Sequence, residues 1–127
     1  MGSKKNKKAM PKKTHPAKDP EIESKVQKLL EANLYHPTGH AKERLDLRQV
    51  TILEVRYILK KGAREKKKDA FHIRDDWGNE INRWSYAYKN KTLDGRRLRV
   101  CVSLDETKSK PLLIVTVIDL LEGEKKE

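Results

Sequence analysis

The spacing of apolar residues changes at Gly62. Before it they recur every three or four positions, as on an amphipathic helix; after it they recur every second position, as on a half-buried strand. Ile22, Val26, Leu29 and Leu30 form one helical stripe. Asp19 is placed to cap that helix, with Pro20 in its first turn, where a missing N–H does no harm. The helix should end near Asn33, before the His36-Pro37-Thr38-Gly39 turn. A second helix is expected from Thr38 or Gly39 to about Arg48, with Ala41 and Leu45 one turn apart. The third has the clearest start. Thr51-Ile52-Leu53-Glu54 is a capping box, flanked by Val50 and Val55 at the staple positions. Lys60 and Lys61 complement its negative end, and Gly62 is expected as a left-handed stop.

Beyond Gly62, strands are expected at about 68–74, 81–92, 97–104 and 111–119. Asp94-Gly95 signals a two-residue hairpin turn. The other links are short, so the four strands should form an antiparallel meander. Leu112 to Ile118 is almost wholly apolar, which marks a strand covered on both faces. Helices followed by strands give an α+β fold, with the N-terminal helices on one face of a small four-stranded antiparallel sheet.

Charge adds a boundary. The 127 residues carry a net charge of +11, and seven lysines with no acid within residues 1–18 supply +7 of it. That segment is too polar to offset its ordering entropy and is expected to be a disordered tail. A single domain over 19–122 and a charged, disordered 123–127 complete the expected layout. The longest strongly apolar run is four residues, Leu112 to Val115, whereas a membrane-spanning helix needs roughly 20. The lysine-rich start leads into no apolar segment, so no secretory leader is expected. One cysteine, Cys101, leaves no internal disulfide, which suits a reducing, cytoplasmic setting.

Candidate chemistry follows from the hairpin register. A two-residue turn puts Leu93 opposite Arg96, Tyr88 opposite Cys101 and Tyr86 opposite Ser103. Trp84, Tyr86, Tyr88, Arg97 and Arg99 then share one face, while Ala87, Val100 and Val102 share the other. Such a face could stack unpaired bases and clamp phosphates. The same aromatic row would also fit beneath a helix, and a one-residue slip would scramble the assignment. His40 and Arg44 lie one turn apart on the second helix. An imidazole there could move a proton while the guanidinium holds a phosphate, or the pair could be an ordinary solvated helix start. His36 and His40, with His72 and Cys101 elsewhere in the chain, could hold a metal, and the His-x3-His spacing fits a helix, but Pro37 and Gly39 interrupt it, and no metal or other cofactor is expected. Lys60, Lys61, Lys66, Lys67 and Lys68 with Arg64 form a second basic run. It is either a solvated strand edge or a sequence-blind contact to a nucleic-acid backbone.

The ordered pieces His40-Ala41-Lys42-Glu43-Arg44-Leu45, Arg48-Gln49-Val50-Thr51, Glu54-Val55, Arg97-Leu98-Arg99-Val100-Cys101-Val102 and Leu113-Ile114-Val115-Thr116-Val117 resemble the bacterial HAxxR family of small domains of unknown function. That family is similar to RelE-like and BrnT-like toxin domains. The resemblance covers residues 38–119. It implies a RelE-like fold, a metal-independent ribonuclease acting on RNA, and an antitoxin protein as a further partner. By position it implies catalytic roles for His40, Arg44 and Arg99. Tyr86 joins them as a stacking or proton-donating group on the register argument alone. Trp84, Tyr88, Arg97, Lys60, Lys61, Lys66 and Lys67 are the expected nucleic-acid contacts. Two other readings stay open: a nucleic-acid-binding module without catalysis, and a protein-interaction domain whose aromatic face an antitoxin-like partner covers.

Overall fold

In the computed structural model, which describes residues 15–120, local side-chain chemistry starts two of the three predicted helices. Helix α1 spans Ile22–Glu31 and buries Ile22, Val26 and Leu30. It begins later than expected. Asp19 does not cap it; the carboxylate instead accepts from the Glu21 N–H at 2.8 Å and pairs with Lys25 at 2.6 Å. Asn33, at a positive φ of 58°, closes the helix, with Leu34 N–H donating to Leu29 O. Helix α2, Gly39–Arg48, is capped by the Thr38 hydroxyl, which accepts from Ala41 N–H. Helix α3, Ile52–Lys61, has the full capping box: Glu54 N–H donates to Thr51 Oγ1, and Thr51 N–H to Glu54 Oε1.

Gly62 has a role different from the expected left-handed stop. Its φ of −82° is open to any residue. What demands glycine is proximity: a Cβ would lie 2.4 Å from Ile58 O and 2.8 Å from Lys89 O. The chain leaves α3 by passing hard against a strand, with no room for a side chain.

The strands are β1 (Tyr35–Pro37), β2 (Ala63–Arg64), β3 (Ala70–Arg74), β4 (Glu80–Lys91), β5 (Arg97–Leu104) and β6 (Leu112–Asp119). They form one open mixed sheet in the order β1-β6-β5-β4-β2, with β3 also paired to β4. The expected antiparallel meander is its β3-β4-β5-β6 part. Two short strands go beyond that expectation. β1 runs parallel to β6, Tyr35 opposite Leu112 and Pro37 opposite Ile114. Pro37 is tolerated because β1 is an edge strand. β2 pairs with the far half of β4, and a 3-10 turn at Lys66–Lys68 delays β3 to Ala70.

The β4–β5 register corrects the predicted face. The loop has three residues, Leu93-Asp94-Gly95, closed by Thr92 N–H donating to Arg96 O at 2.7 Å. Gly95 has φ 90°, and the Thr92 hydroxyl accepts from Arg96 N–H. A type I turn followed by a left-handed glycine is the next commonest hairpin after the two-residue form. The extra residue shifts every pair by one: Tyr86 faces Val102, Ala87 faces Cys101, and Tyr88 faces Val100. Tyr86 and Tyr88 therefore join Leu98, Val100, Val102, Leu112, Ile114 and Val117 in the core beneath the helices. Arg97 and Arg99 belong to the other face with Lys89 and Cys101. A bulge where β6 passes Cys101 and Val102 leaves Val115 without a partner.

Residues 15–18, expected in the disordered tail, pack on the domain. His15 stacks on Phe71 with ring centroids 4.5 Å apart, Pro16 O accepts from Trp84 Nε1, and Lys18 pairs with Asp69. The rest of the expected tail, 1–14, and the expected C-terminal tail, 123–127, lie outside the described residues. Among the described residues no helix is long and apolar enough to cross a membrane.

A candidate cleft at the junction of helix and hairpin

His40 and Arg44 are brought together as their spacing implies. The i, i+4 geometry of α2 puts Arg44 Nε 3.3 Å from His40 Nε2. The other ring nitrogen, Nδ1, lies 3.3 Å from a carboxylate oxygen of Asp76, in the turn between β3 and β4. A guanidinium can only donate, so Nε2 accepts from Arg44, while the Asp76 carboxylate stands at ion-pair distance from Nδ1. None of the hydrogen bonds or ion pairs of His40 reaches Arg99 or Tyr86.

Asp76 and Thr38 stand at one end of a cleft of about 460 Å³. It lies between the β3–β4 hairpin and the sheet face opposite the helices. Ser85, Ser103 and Leu113 form part of its floor. His72 Nε2 lies 2.9 Å from Ser85 Oγ, and Arg83 pairs with Asp105 at 3.5 Å. Thr107 hydrogen-bonds the Asp105 carboxyl and is the main cause holding it below its ordinary value. Sequence reading missed Asp76, Trp77 and Ser85, and weighed His72 only as a candidate metal ligand. The available signal was a tryptophan in an otherwise polar turn, Asp75-Asp76-Trp77-Gly78-Asn79.

The other predicted residues have different partners. Arg99 forks onto Glu65, with Nε 2.6 Å from Oε1 and Nη2 3.2 Å from Oε2. That contact, first among several, holds the Glu65 carboxyl below the usual range. Arg97 shares the Arg99 face. Trp84 lies under residues 15–18, edge-on to Phe71, with Lys18 Nζ 5.2 Å above its ring. Lys60 pairs with Glu31 at 2.5 Å. Lys61, Lys66, Lys67 and Lys68 are exposed, and none of them lines the cleft. Among the described residues no group of three or more His, Cys, Asp or Glu is placed to hold a metal ion.

Tyr86 and Tyr88 flank a buried ion pair. Both rings lie within 5.5 Å of the Arg64 guanidinium, which forks onto Asp69 at 2.9 and 2.7 Å. Tyr86 Oη accepts from the Asp19 N–H at 2.9 Å. Tyr88 Oη is buried with no hydrogen-bond partner, and burial pushes its pKa up from 10.0 to about 12. Tyr88→Phe should therefore leave stability unchanged at pH 7 or raise it by up to about 1 kcal/mol, since a buried unsatisfied hydroxyl is removed. The sign at high pH is fixed by linkage. A phenol that ionises less readily when folded makes stability fall once pH passes its unfolded value near 10. The wild type should lose stability between pH 10 and 12 more steeply than Tyr88→Phe. Urea unfolding at pH 7 and pH 10.5 measures both. Cys101, pushed by burial from 9.0 to about 11, contributes the same slope to both proteins.

No curated protein and no solved structure matches this chain. One family model does, over residues 38–119, about two thirds of the length, from the cap of α2 to the end of β6. The matched region contains α2, α3 and the His40–Asp76 junction, while α1 and β1 precede it. The chain belongs to the family described as Domain of unknown function (DUF4258).

Proposed function

We propose that the protein is a metal-independent ribonuclease of the kind its likeness to RelE-like toxins implies, working at the rim where α2 meets the β3–β4 turn. The observation that carries this reading is the double tether of His40, with Asp76 at Nδ1 and Arg44 at Nε2. In the free protein the guanidinium occupies the lone pair of Nε2. An RNA phosphate competes for that guanidinium and offers it two oxygens, a better match than one imidazole nitrogen. Arg44 then moves to the phosphate and leaves Nε2 free as a general base.

The 2′-hydroxyl loses its proton to Nε2 and its oxygen attacks the adjacent phosphorus. The P–O5′ bond breaks, a 2′,3′-cyclic phosphate forms, and the leaving 5′-oxygen takes a proton from solvent. Arg44 stabilises the charge that grows on the phosphate oxygens. Asp76 steadies the imidazolium that forms. Arg99, Tyr86 and Tyr88 have no part in this chemistry, because Arg99 is engaged by Glu65 and the two phenols lie in the core. The exposed lysines at positions 61 and 66–68 supply sequence-blind attraction to the RNA backbone.

The test is cleavage of single-stranded RNA by the full chain in the presence of a chelator. Products ending in cyclic phosphate and 5′-hydroxyl are expected. Arg44→Ala should lower the rate by about 10²–10³, the usual loss when one donor to a developing oxyanion is removed. RNA left intact by the wild type, or cleaved equally fast by Arg44→Ala, overturns the reading.

A further inference from the structure

The cleft beside that rim has a construction of its own. Trp77 stands at its mouth, 66% exposed. A lone exposed tryptophan says little, but this one is held in place. The Asp75 carboxylate accepts from Trp77 N–H at 2.9 Å, from Asn79 N–H at 2.8 Å and from Asn79 Nδ2 at 3.2 Å. Asp75 N–H donates to Asn79 O, and Gly78 supplies the left-handed residue at φ 86°. The far edge of the indole rests by Gly39 in the first turn of α2, where a Cβ would come within 3.7 Å of Cη2. The turn thus fixes the backbone that carries the indole and presents an aromatic surface with most of it in water.

Inside, the cleft is apolar at Ile81, Leu113 and Val115 and polar at Ser85 and Ser103. Its charges nearly cancel: Arg83 faces Asp105, Arg74 and Lys108 are balanced by Asp75 and Glu80, and Asp76 leaves one net negative charge. Such walls offer little net attraction to a phosphate. They suit a flat, uncharged ring with hydrogen-bonding edges. The volume lies in the ordinary range for small-ligand sites, about 300–1,000 Å³.

We propose that this cleft is a nucleobase subsite. One unpaired RNA base stacks on Trp77 with its edge towards the floor, while the phosphate on its 3′ side lies on Arg44. Asp76, paired with His40, and Trp77 are consecutive residues that both line the cleft, so the base subsite borders the His40–Arg44 pair. The ligand class rests on the ribonuclease reading; the subsite itself is tested by binding.

Adenosine 3′-monophosphate is titrated into the 15N-labelled full chain, with ribose phosphate as the control lacking a base. The nucleotide should shift the Trp77 indole N–H resonance and leave that of Trp84, which is bonded to Pro16 O, in place. Ribose phosphate should shift neither. Trp77→Ala should weaken nucleotide binding about tenfold to a hundredfold, as loss of one base–aromatic stack does, and Trp77→Phe should restore most of it. A Trp77 resonance that does not move, or a Trp77→Ala variant that binds as tightly as the wild type, overturns the subsite. Binding at Trp77 by a protein that cleaves no RNA would support the subsite and sink the ribonuclease alone. Cleavage with an unchanged KM in Trp77→Ala would sink the subsite alone.

Discussion

Asp69→Ala should cost about 3–5 kcal/mol of stability, enough to unfold a domain of this size under mild conditions. The Asp69 side chain is fully buried and has four hydrogen-bond contacts: two from Arg64, one from Lys18 Nζ and one from the Ala87 N–H. Removing it leaves the Arg64 guanidinium, only 9% exposed, between two tyrosine rings with one remaining hydrogen bond, to Ala87 O, and only the exposed Glu23 carboxylate, 3.7 Å away, as a counter-charge. It also frees the Ala87 N–H in the middle of β4 and loosens residues 15–18. Burial alone would raise the Asp69 carboxyl, but Arg64, Lys18 and the Ala87 N–H outweigh it and hold it below the ordinary 3.8. Its contribution is therefore complete above that pH and is lost as pH falls through the lower, folded value. Urea unfolding between pH 7 and pH 2.5 should show a steep acid loss for the wild type that is weaker in the variant. The double variant Asp69→Leu with Arg64→Met should recover much of the loss, since a buried pair replaced by apolar groups costs far less than one partner removed. A single variant as stable as the wild type would mean that this pair does not hold β2, β4 and the N-terminal segment together.

How much of this was legible in the sequence depends on how local each feature is. The Thr51–Glu54 capping box, the start of α2 at Thr38 or Gly39 and the stripe Ile22-Val26-Leu30 are set by side chains within one or two turns, and all were readable. The His40–Arg44 contact is equally local. β1 was not readable, because three residues hold a strand only through a parallel partner some 75 positions on. The β4–β5 register turned on one residue. Asp94-Gly95 fits both a two-residue and a three-residue loop, and Thr92 decides for the longer one by accepting from Arg96 N–H and hydrogen-bonding Asp94. That slip carries Tyr86 and Tyr88 into the core and separates them from Arg97 and Arg99. The alternating aromatic row was real; its direction was a tertiary fact. The acidic partner of His40 was invisible for the same reason, since Asp76 arrives on a hairpin whose curl no local pattern encodes.

If His40 is the base, His40→Ala should lower RNA cleavage by about 10²–10⁴, and the pattern across its neighbours should be non-additive. Asp76 is mostly exposed, so its attraction for the imidazole is screened by water and about 1 kcal/mol at most. Asp76→Asn should therefore slow cleavage only about fivefold. That loss should vanish in the His40→Ala background, because Asp76 acts through the ring it orients. Trp77→Ala should behave oppositely. Its effect falls on KM and should persist, multiplied, when His40 is absent. Neither His40 nor Asp76 lies in the apolar core, so thermal melts of all these variants should stay close to the wild type. Lost activity then cannot come from unfolding. Were Asp76→Asn to cost its factor equally with and without the imidazole, the carboxylate would be touching RNA directly. The double tether of His40 would then no longer support the proposed base.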